Sequence, residues 1–62
     1  MEPSLADQIR AVKREISMRE RVYPKWVRDS KMSQSEADYQ IEVMRAVEKT
    51  LLALSEVGNE TV

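Results

Sequence analysis

Cysteine, histidine and phenylalanine are absent from this 62-residue sequence, glycine occurs once and proline twice. The chain therefore forms no disulfide, holds no tetrahedral zinc site built on cysteine or histidine, and contains no Ser-His-Asp or Cys-His nucleophile. A chain of this length buries only roughly 60% of its unfolded surface, so its core is marginal without a staple or a partner. With the usual staples excluded, association with another chain is the expected source of stability.

Long apolar runs are also missing, and charges of the two signs nearly balance. Ten Lys and Arg residues stand against eleven Asp and Glu, a net charge of −1, which gives no overall attraction to nucleic acid or to an anionic membrane. No run approaches the roughly 20 apolar residues of a membrane span. The start Met1-Glu2-Pro3-Ser4 is unlike a signal peptide. We therefore expect a cytoplasmic protein with no membrane partner.

Helix-forming residues dominate, which predicts an all-α chain. The first helix is expected over about 4–29, with Ser4 as its N-cap. Pro24 interrupts this helix, because it has no N–H to donate and biases Tyr23 away from α geometry. We predict a kink near Tyr23, the alternative being a break into a short helix over residues 24–30.

A stronger start signal opens the second helix. Ser33-Gln34-Ser35-Glu36 is a capping box, in which each end residue can bind the other's backbone amide. It predicts a helix over about 34–57, with a stop at Gly58 and a frayed tail over 58–62. The short connection over 29–33 makes the two helices antiparallel neighbours, so residues 1–62 form one helical-hairpin domain.

Apolar residues of the first helix recur at spacings of four and three, which predicts one buried face. Its members are Leu5, Ile9, Val12, Ile16, Tyr23 and Trp26. Trp26 is assigned to this core, with an interaction hot spot as the alternative. Arg19 occupies a position where an apolar residue is expected, and it can reach Glu15 or an acid on the second helix such as Glu48.

The second helix carries two apolar stripes. The first, assigned to the core, is Ala37, Ile41, Met44, Val47, Leu51 and Leu54; the second is Tyr39, Val43, Ala46, Thr50, Ala53 and Val57. One partner helix covers only one such seam. The second stripe therefore predicts a homodimer in which two hairpins form a four-helix assembly. The alternative is that it merely broadens the contact within one hairpin.

Positive charge is concentrated in the first half of the chain. Residues 10–31 hold eight basic and three acidic residues, a local net charge of +5. Arg10, Arg14, Arg21 and Arg28 recur there at near-heptad spacing and so share one side of the helix, here called the arginine ridge. With Tyr39 it is our candidate for partner binding, because arginine offers a planar fork for carboxylate or phosphate. The alternatives are that its arginines pair with the acidic second helix and that Tyr39 belongs to the dimer seam.

Catalytic residues are not evident. Asp38 and Glu42 lie one turn apart and could hold a hard cation through water, but such pairs are common on exposed helices and nothing converges on them. A helix-turn-helix glycine and a cluster of base-reading side chains are lacking as well. We expect no enzyme, no cofactor and no metal site.

Residues 14–44 resemble a family of small phage and prophage proteins. The segments that carry the resemblance are REISMRERVYPKWV over 14–27, MSQSEAD over 32–38 and IEVM over 41–44. The family shares the pattern REIxMRxRVYPxWV followed by MSQxxAD. In size and architecture the chain is also similar to phage anti-activators that block quorum-sensing transcription factors by binding their DNA-binding domain.

The resemblance implies a protein that acts inside a bacterial host. It would bind a host protein, such as the DNA-binding domain of a transcriptional activator, and inhibit it without chemistry of its own. The alternative function is a nucleic-acid-associated phage accessory protein that uses the arginine ridge on phosphates. A third is a purely structural part of an assembly.

Overall fold

A computed structural model describes residues 2–60 of the chain, with side chains described for 2–57. It contains two helices, α1 at Leu5–Arg28 and α2 at Gln34–Glu60, which pack against each other as a hairpin. The prediction of an all-helical hairpin is confirmed. Within the described residues, neither helix combines the length and the apolar character needed to cross a membrane.

Helix α1 begins directly after Ser4, the residue predicted to cap its N-terminus. The Ser4 hydroxyl accepts a hydrogen bond from the Asp7 amide at 3.1 Å, which satisfies one of the amides left open at a helix start. The helix then runs through Pro24 to Arg28 without interruption, so the alternative of a separate short helix is not observed. Pro24 lies on the exposed side, where water can bind the carbonyl that loses its N–H partner. The kink near Tyr23 stays a prediction.

Helix α2 begins at the capping box. The Ser33 hydroxyl accepts from the Glu36 amide at 3.1 Å, and the Ser33 carbonyl accepts from the Ala37 amide at 3.0 Å. At its other end α2 continues through Gly58 to Glu60, three residues past the predicted end. A glycine inside a helix costs about 1 kcal/mol but does not by itself stop the helix. The predicted tail lies partly outside the described residues, at 61–62.

The connection between the helices turns on Ser30. The Ser30 amide donates to the Val27 carbonyl at 3.1 Å and the Lys31 amide to the Trp26 carbonyl at 2.8 Å, the pair of bonds that defines a Schellman motif. Ser30 has φ of 60°, in the left-handed region where a Cβ atom is unfavourable. Glycine is the usual residue at this position, so the hairpin turn carries local backbone strain.

The core of the hairpin is thin. Ile16, Tyr23 and Ala37 are buried, and the other residues that α1 and α2 turn toward each other are partly exposed at the edges of a single seam. The molecule measures 49 × 22 × 16 Å, and its shortest dimension is little more than one helix diameter of about 10–12 Å. One face of each helix is covered, and the rest of each helix meets solvent.

Replacing Ser30 with glycine should stabilise the hairpin. Removing the Cβ atom relieves the left-handed conformation at φ of 60°, and we expect Ser30→Gly to raise the free energy of unfolding by about 0.5–1 kcal/mol. Urea denaturation followed by circular dichroism measures this change. Ser30→Ala, which keeps the Cβ atom, is the matched control; a glycine variant no more stable than the alanine variant would show that Ser30 carries no strain.

Candidate interaction surfaces

The arginine ridge lies on the outward face of α1. Arg10, Arg14, Arg21 and Arg28 are all exposed. Ile16 and Tyr23, by contrast, are buried on the opposite side of the helix. From first to last, the ridge extends about 27 Å along the helix axis. The four side chains therefore lie along one exposed face of α1 that points away from α2.

Among the residues whose side chains are described, most of the ridge has no acidic partner. Arg10 pairs with Asp7 on its own helix, with Nη1 at 2.6 Å from Oδ1. Within residues 2–57, no carboxylate lies within ion-pair distance of Arg14, Arg21 or Arg28. The alternative that the ridge pairs with the acidic second helix is therefore not observed. The ridge arginines do not pair with the acidic residues of α2 because the ridge faces away from that helix.

An ion pair does join the two helices, but in it α1 supplies the acidic residue and α2 the basic one. Glu20 of α1 accepts from Arg45 of α2, with 2.5 Å between Oε2 and Nη2. Both side chains are about half exposed, so the pair contributes at most about 1 kcal/mol. It ties the flanks of the hairpin together without involving the ridge.

Arg19 lies between the helices rather than on the ridge. Its side chain is 19% exposed, and its Nε donates to Glu15 Oε1 at 2.8 Å. Its Nη1 donates to the main-chain carbonyl of Gln40 at 3.0 Å. The guanidinium also lies over the Tyr23 ring, 5.8 Å from its centroid. The predicted bond to Glu15 is thus present, while α2 supplies a backbone carbonyl in place of Glu48.

Tyr39 is on the other helix, 61% exposed, and begins a long apolar surface. Around it on α2 lie other exposed residues without charge, here called the α2 apolar face: Tyr39, Val43, Ala46, Val47, Thr50, Ala53, Leu54 and Val57. The second stripe predicted from the sequence is therefore uncovered within one hairpin. The alternative that it broadens the contact with α1 is not observed.

Two residues assigned to the core belong to this face instead. Val47 is 39% and Leu54 is 55% exposed. The residues that α2 turns toward α1 follow a strict alternation of four and three, namely Ala37, Ile41, Met44, Glu48, Leu51 and Ser55. At about 100° per residue, Val47 and Leu54 lie some 80–100° away from the middle of that set. Continuing the alternation of four and three past Met44 leaves Val47 and Leu54 outside the contact with α1, as observed. It also places two polar residues, Glu48 and Ser55, in that contact.

Other predicted core positions divide between the seam and the surface. Ile16 is buried, and Ile9, Ile41, Met44 and Leu51 are half-buried between the helices. Val43, which the sequence placed in the second stripe and not in the core of one hairpin, is exposed on the α2 apolar face. Trp26 is 41% exposed near the end of α1, with its ring centroid 5.6 Å from that of Tyr23. With 41% of its surface exposed, Trp26 lies at the edge of the contact between the helices, so its assignment to the core of one hairpin is corrected.

The predicted acidic pair Asp38 and Glu42 lies on the surface of α2. No group of three or more acidic side chains converges within the described residues, and Asp38 and Glu42 line a shallow surface depression together with Arg45. A larger depression of about 500 Å³ lies over the connection, between Val27 and Glu36, and is open to solvent. The arrangement is that of a molecule with two exposed surfaces, one basic and one apolar.

No family model, curated protein or solved structure matches this chain. The two surfaces are therefore the basis for inferring its function. They lie on different helices, and one is basic while the other carries no charged residue.

Arg19 should matter more to stability than any arginine of the ridge. Arg19→Lys removes the planar fork that reaches Glu15 and the Gln40 carbonyl together, and we expect a loss of about 1–2 kcal/mol in the free energy of unfolding. Arg14→Lys is the matched control, because Arg14 is exposed and should change stability by less than about 0.5 kcal/mol. Equal effects in urea denaturation would mean that Arg19 does not hold the helices together.

Proposed function

We propose that this chain is a small phage-encoded interaction module that binds a bacterial host protein and inhibits it. The target class proposed is a transcriptional regulator, as for the quorum-sensing anti-activators, and the acting form is a homodimer. The module contributes a rigid surface and no chemistry. The observation that carries the proposal is the arginine ridge, with Arg14, Arg21 and Arg28 exposed and without carboxylate partners in residues 2–57.

The ridge suits an acidic protein surface. Arg14, Arg21 and Arg28 follow one another at about 10 Å along a continuous helix. Each guanidinium can bind a carboxylate through two parallel hydrogen bonds or stack on an aromatic ring. Because the helix is already formed, binding orders side chains and not the backbone, which lowers the entropic cost.

The charge of the ridge also restricts where it can bind on a regulator. The DNA-contacting face of a DNA-binding domain is basic, because it must neutralise phosphates. Like charges opposed across an interface cost several kcal/mol. The ridge is therefore expected to bind an acidic part of the regulator, and inhibition would follow from blocking assembly or from covering the site at its edge.

A second candidate function uses the same residues on nucleic acid. Free arginines on one helix face can bind phosphates as well as carboxylates, although the net charge of −1 opposes it. The two functions differ in salt dependence: phosphate binding weakens steeply as salt rises, while binding to protein through a few charge pairs weakens mildly.

Reversing one ridge charge should abolish partner capture. We expect tagged wild-type protein to retain a host regulator from bacterial lysate at roughly one copy per chain, with or without nuclease, and Arg14→Glu to retain none. The reason is that an acidic side chain in the middle of the ridge repels the acidic partner surface. Mass spectrometry of the retained proteins identifies the partner and measures its amount.

Lys31→Glu is the control for net charge, since it makes the same change at an exposed position of the connection, outside the ridge and away from the exposed apolar residues of α2. Circular dichroism and sedimentation should show both variants folded and in the wild-type oligomeric state. Unchanged capture by Arg14→Glu would remove the ridge from the proposal. Loss of every partner after nuclease treatment would favour the nucleic-acid function.

A further inference from the structure

We infer that the α2 apolar face is the surface on which two copies of this chain meet, in an antiparallel seam with two-fold symmetry. The inference rests on the homodimer proposed above and is independent of what the arginine ridge binds. It assigns the seam to α2 and includes Val47 and Leu54, which the sequence pattern placed in the core of a single hairpin.

The exposed surface area of the chain supports a second copy as the molecule that covers the α2 apolar face. One hairpin exposes 5033 Å². A compact protein of 7.2 kDa is expected to expose only about 4,100 Å². The excess of roughly 900 Å² is close to the 800 Å² or so that each partner contributes to a standard interface. A single additional contact between equal partners would therefore bring the exposed area to the ordinary range.

The chemistry of the face fits a buried seam. Between Tyr39 and Val57 it carries no charged residue over about 27 Å of helix. Its central hydroxyl, on Thr50, already donates to the Ala46 carbonyl at 3.1 Å, so burial would leave no unpaired donor. Tyr39 lies at one end, where its ring can pack while its hydroxyl keeps contact with water. The one charged residue beside it is Lys49, which lines the groove at one end and whose long side chain can keep its ammonium group in water when the face is buried.

The shape of the face indicates the direction of pairing. One end carries a groove of about 380 Å³ lined by Lys49, Thr50, Ala53, Leu54 and Val57, whose lining is almost entirely apolar. The other end presents the ring of Tyr39, the largest side chain of this face, followed by Val43. An antiparallel pair lays the bulky end of each copy over the groove of the other, whereas a parallel pair would set groove against groove. Antiparallel pairing also opposes the two helix dipoles.

A second copy of the chain can cover the α2 apolar face without any other molecule. In a two-fold pair the same patch serves on both sides, so the fit of bulky end to groove occurs twice. With Tyr39 opposite Val57, the antiparallel order sets Val43 against Ala53 and Ala46 against Thr50. Tyr39 and Val43 then each face a smaller residue, and the small residues Ala46 and Thr50 let the two helices approach closely at the centre of the seam.

Sedimentation equilibrium tests the seam with a pair of matched variants. Val43 and Leu52 are similarly exposed, at 37% and 40%, but only Val43 lies on the α2 apolar face. We expect the wild-type chain to sediment at twice its 7.2 kDa mass. Val43→Glu should raise the dissociation constant at least ~100-fold, because it buries an unpaired charge. Leu52→Glu should change it by less than about threefold.

Disulfide trapping tests the pairing without disturbing the fold, and the absence of native cysteine makes the readout clean. Positions 43 and 53 of one helix are about 15 Å apart, too far for a bond within a chain. In the antiparallel seam each meets the other across the pair. Oxidised Val43→Cys/Ala53→Cys should therefore run as a covalent dimer on a denaturing gel, while the two single variants remain monomers.

The results of these two experiments distinguish a failure of the proposed seam from a failure of the homodimer itself. A wild-type chain that is monomeric up to about 1 mM overturns both. A dimer that Val43→Glu leaves intact, with no cross-link in the double variant, overturns the seam and keeps the homodimer. Self-linking by each single variant overturns the antiparallel order. If Val43→Glu loses its helical circular dichroism, the cross-link in the folded double variant decides.

Discussion

Two helices can cover only one face of each other, and the rest of this structure depends on that constraint. Here the covered face is narrow, with Ile16, Tyr23 and Ala37 as its buried residues. At 49 × 22 × 16 Å the hairpin is a single layer of helices, without a second layer to cover the outer faces. A domain usually packs at least two layers around its core. What the chain does with its uncovered faces is therefore the central question about its function.

Arg19 links the two helices at their contact. Its guanidinium joins Glu15 to the Gln40 carbonyl across the seam and lies over Tyr23, contacts that restrain how α1 is rotated against α2. With that rotation set, the ridge arginines point outward from α1 and the apolar residues from Tyr39 onward remain open on α2. The basic face suits a partner with carboxylates, and the apolar face suits assembly. One hairpin can in this way combine self-association with binding of a second protein.

Much of this arrangement could be predicted from local sequence patterns, and the rest depends on the tertiary contact. The Ser4 and Ser33 caps and the shared side of the four ridge arginines follow from spacing along one helix. The bond from Arg19 to the Gln40 carbonyl could not be predicted, because backbone acceptors have no sequence signal. Val47 and Leu54 were assigned to the core on hydrophobicity, whereas the seam follows a regular alternation that brings Glu48 and Ser55 inward. The left-handed Ser30 was missed because serine, unlike glycine, does not mark such a turn.

We expect the hairpin to gain its stability by covering its open apolar face with a second copy. Thermal unfolding followed by circular dichroism over a hundredfold range of protein concentration tests it most directly. If folding and association are coupled, the midpoint temperature rises with concentration, by roughly 5–10 °C over that range for a chain of this size. A midpoint that does not move with concentration would show that each hairpin is stable alone, and it would contradict the account.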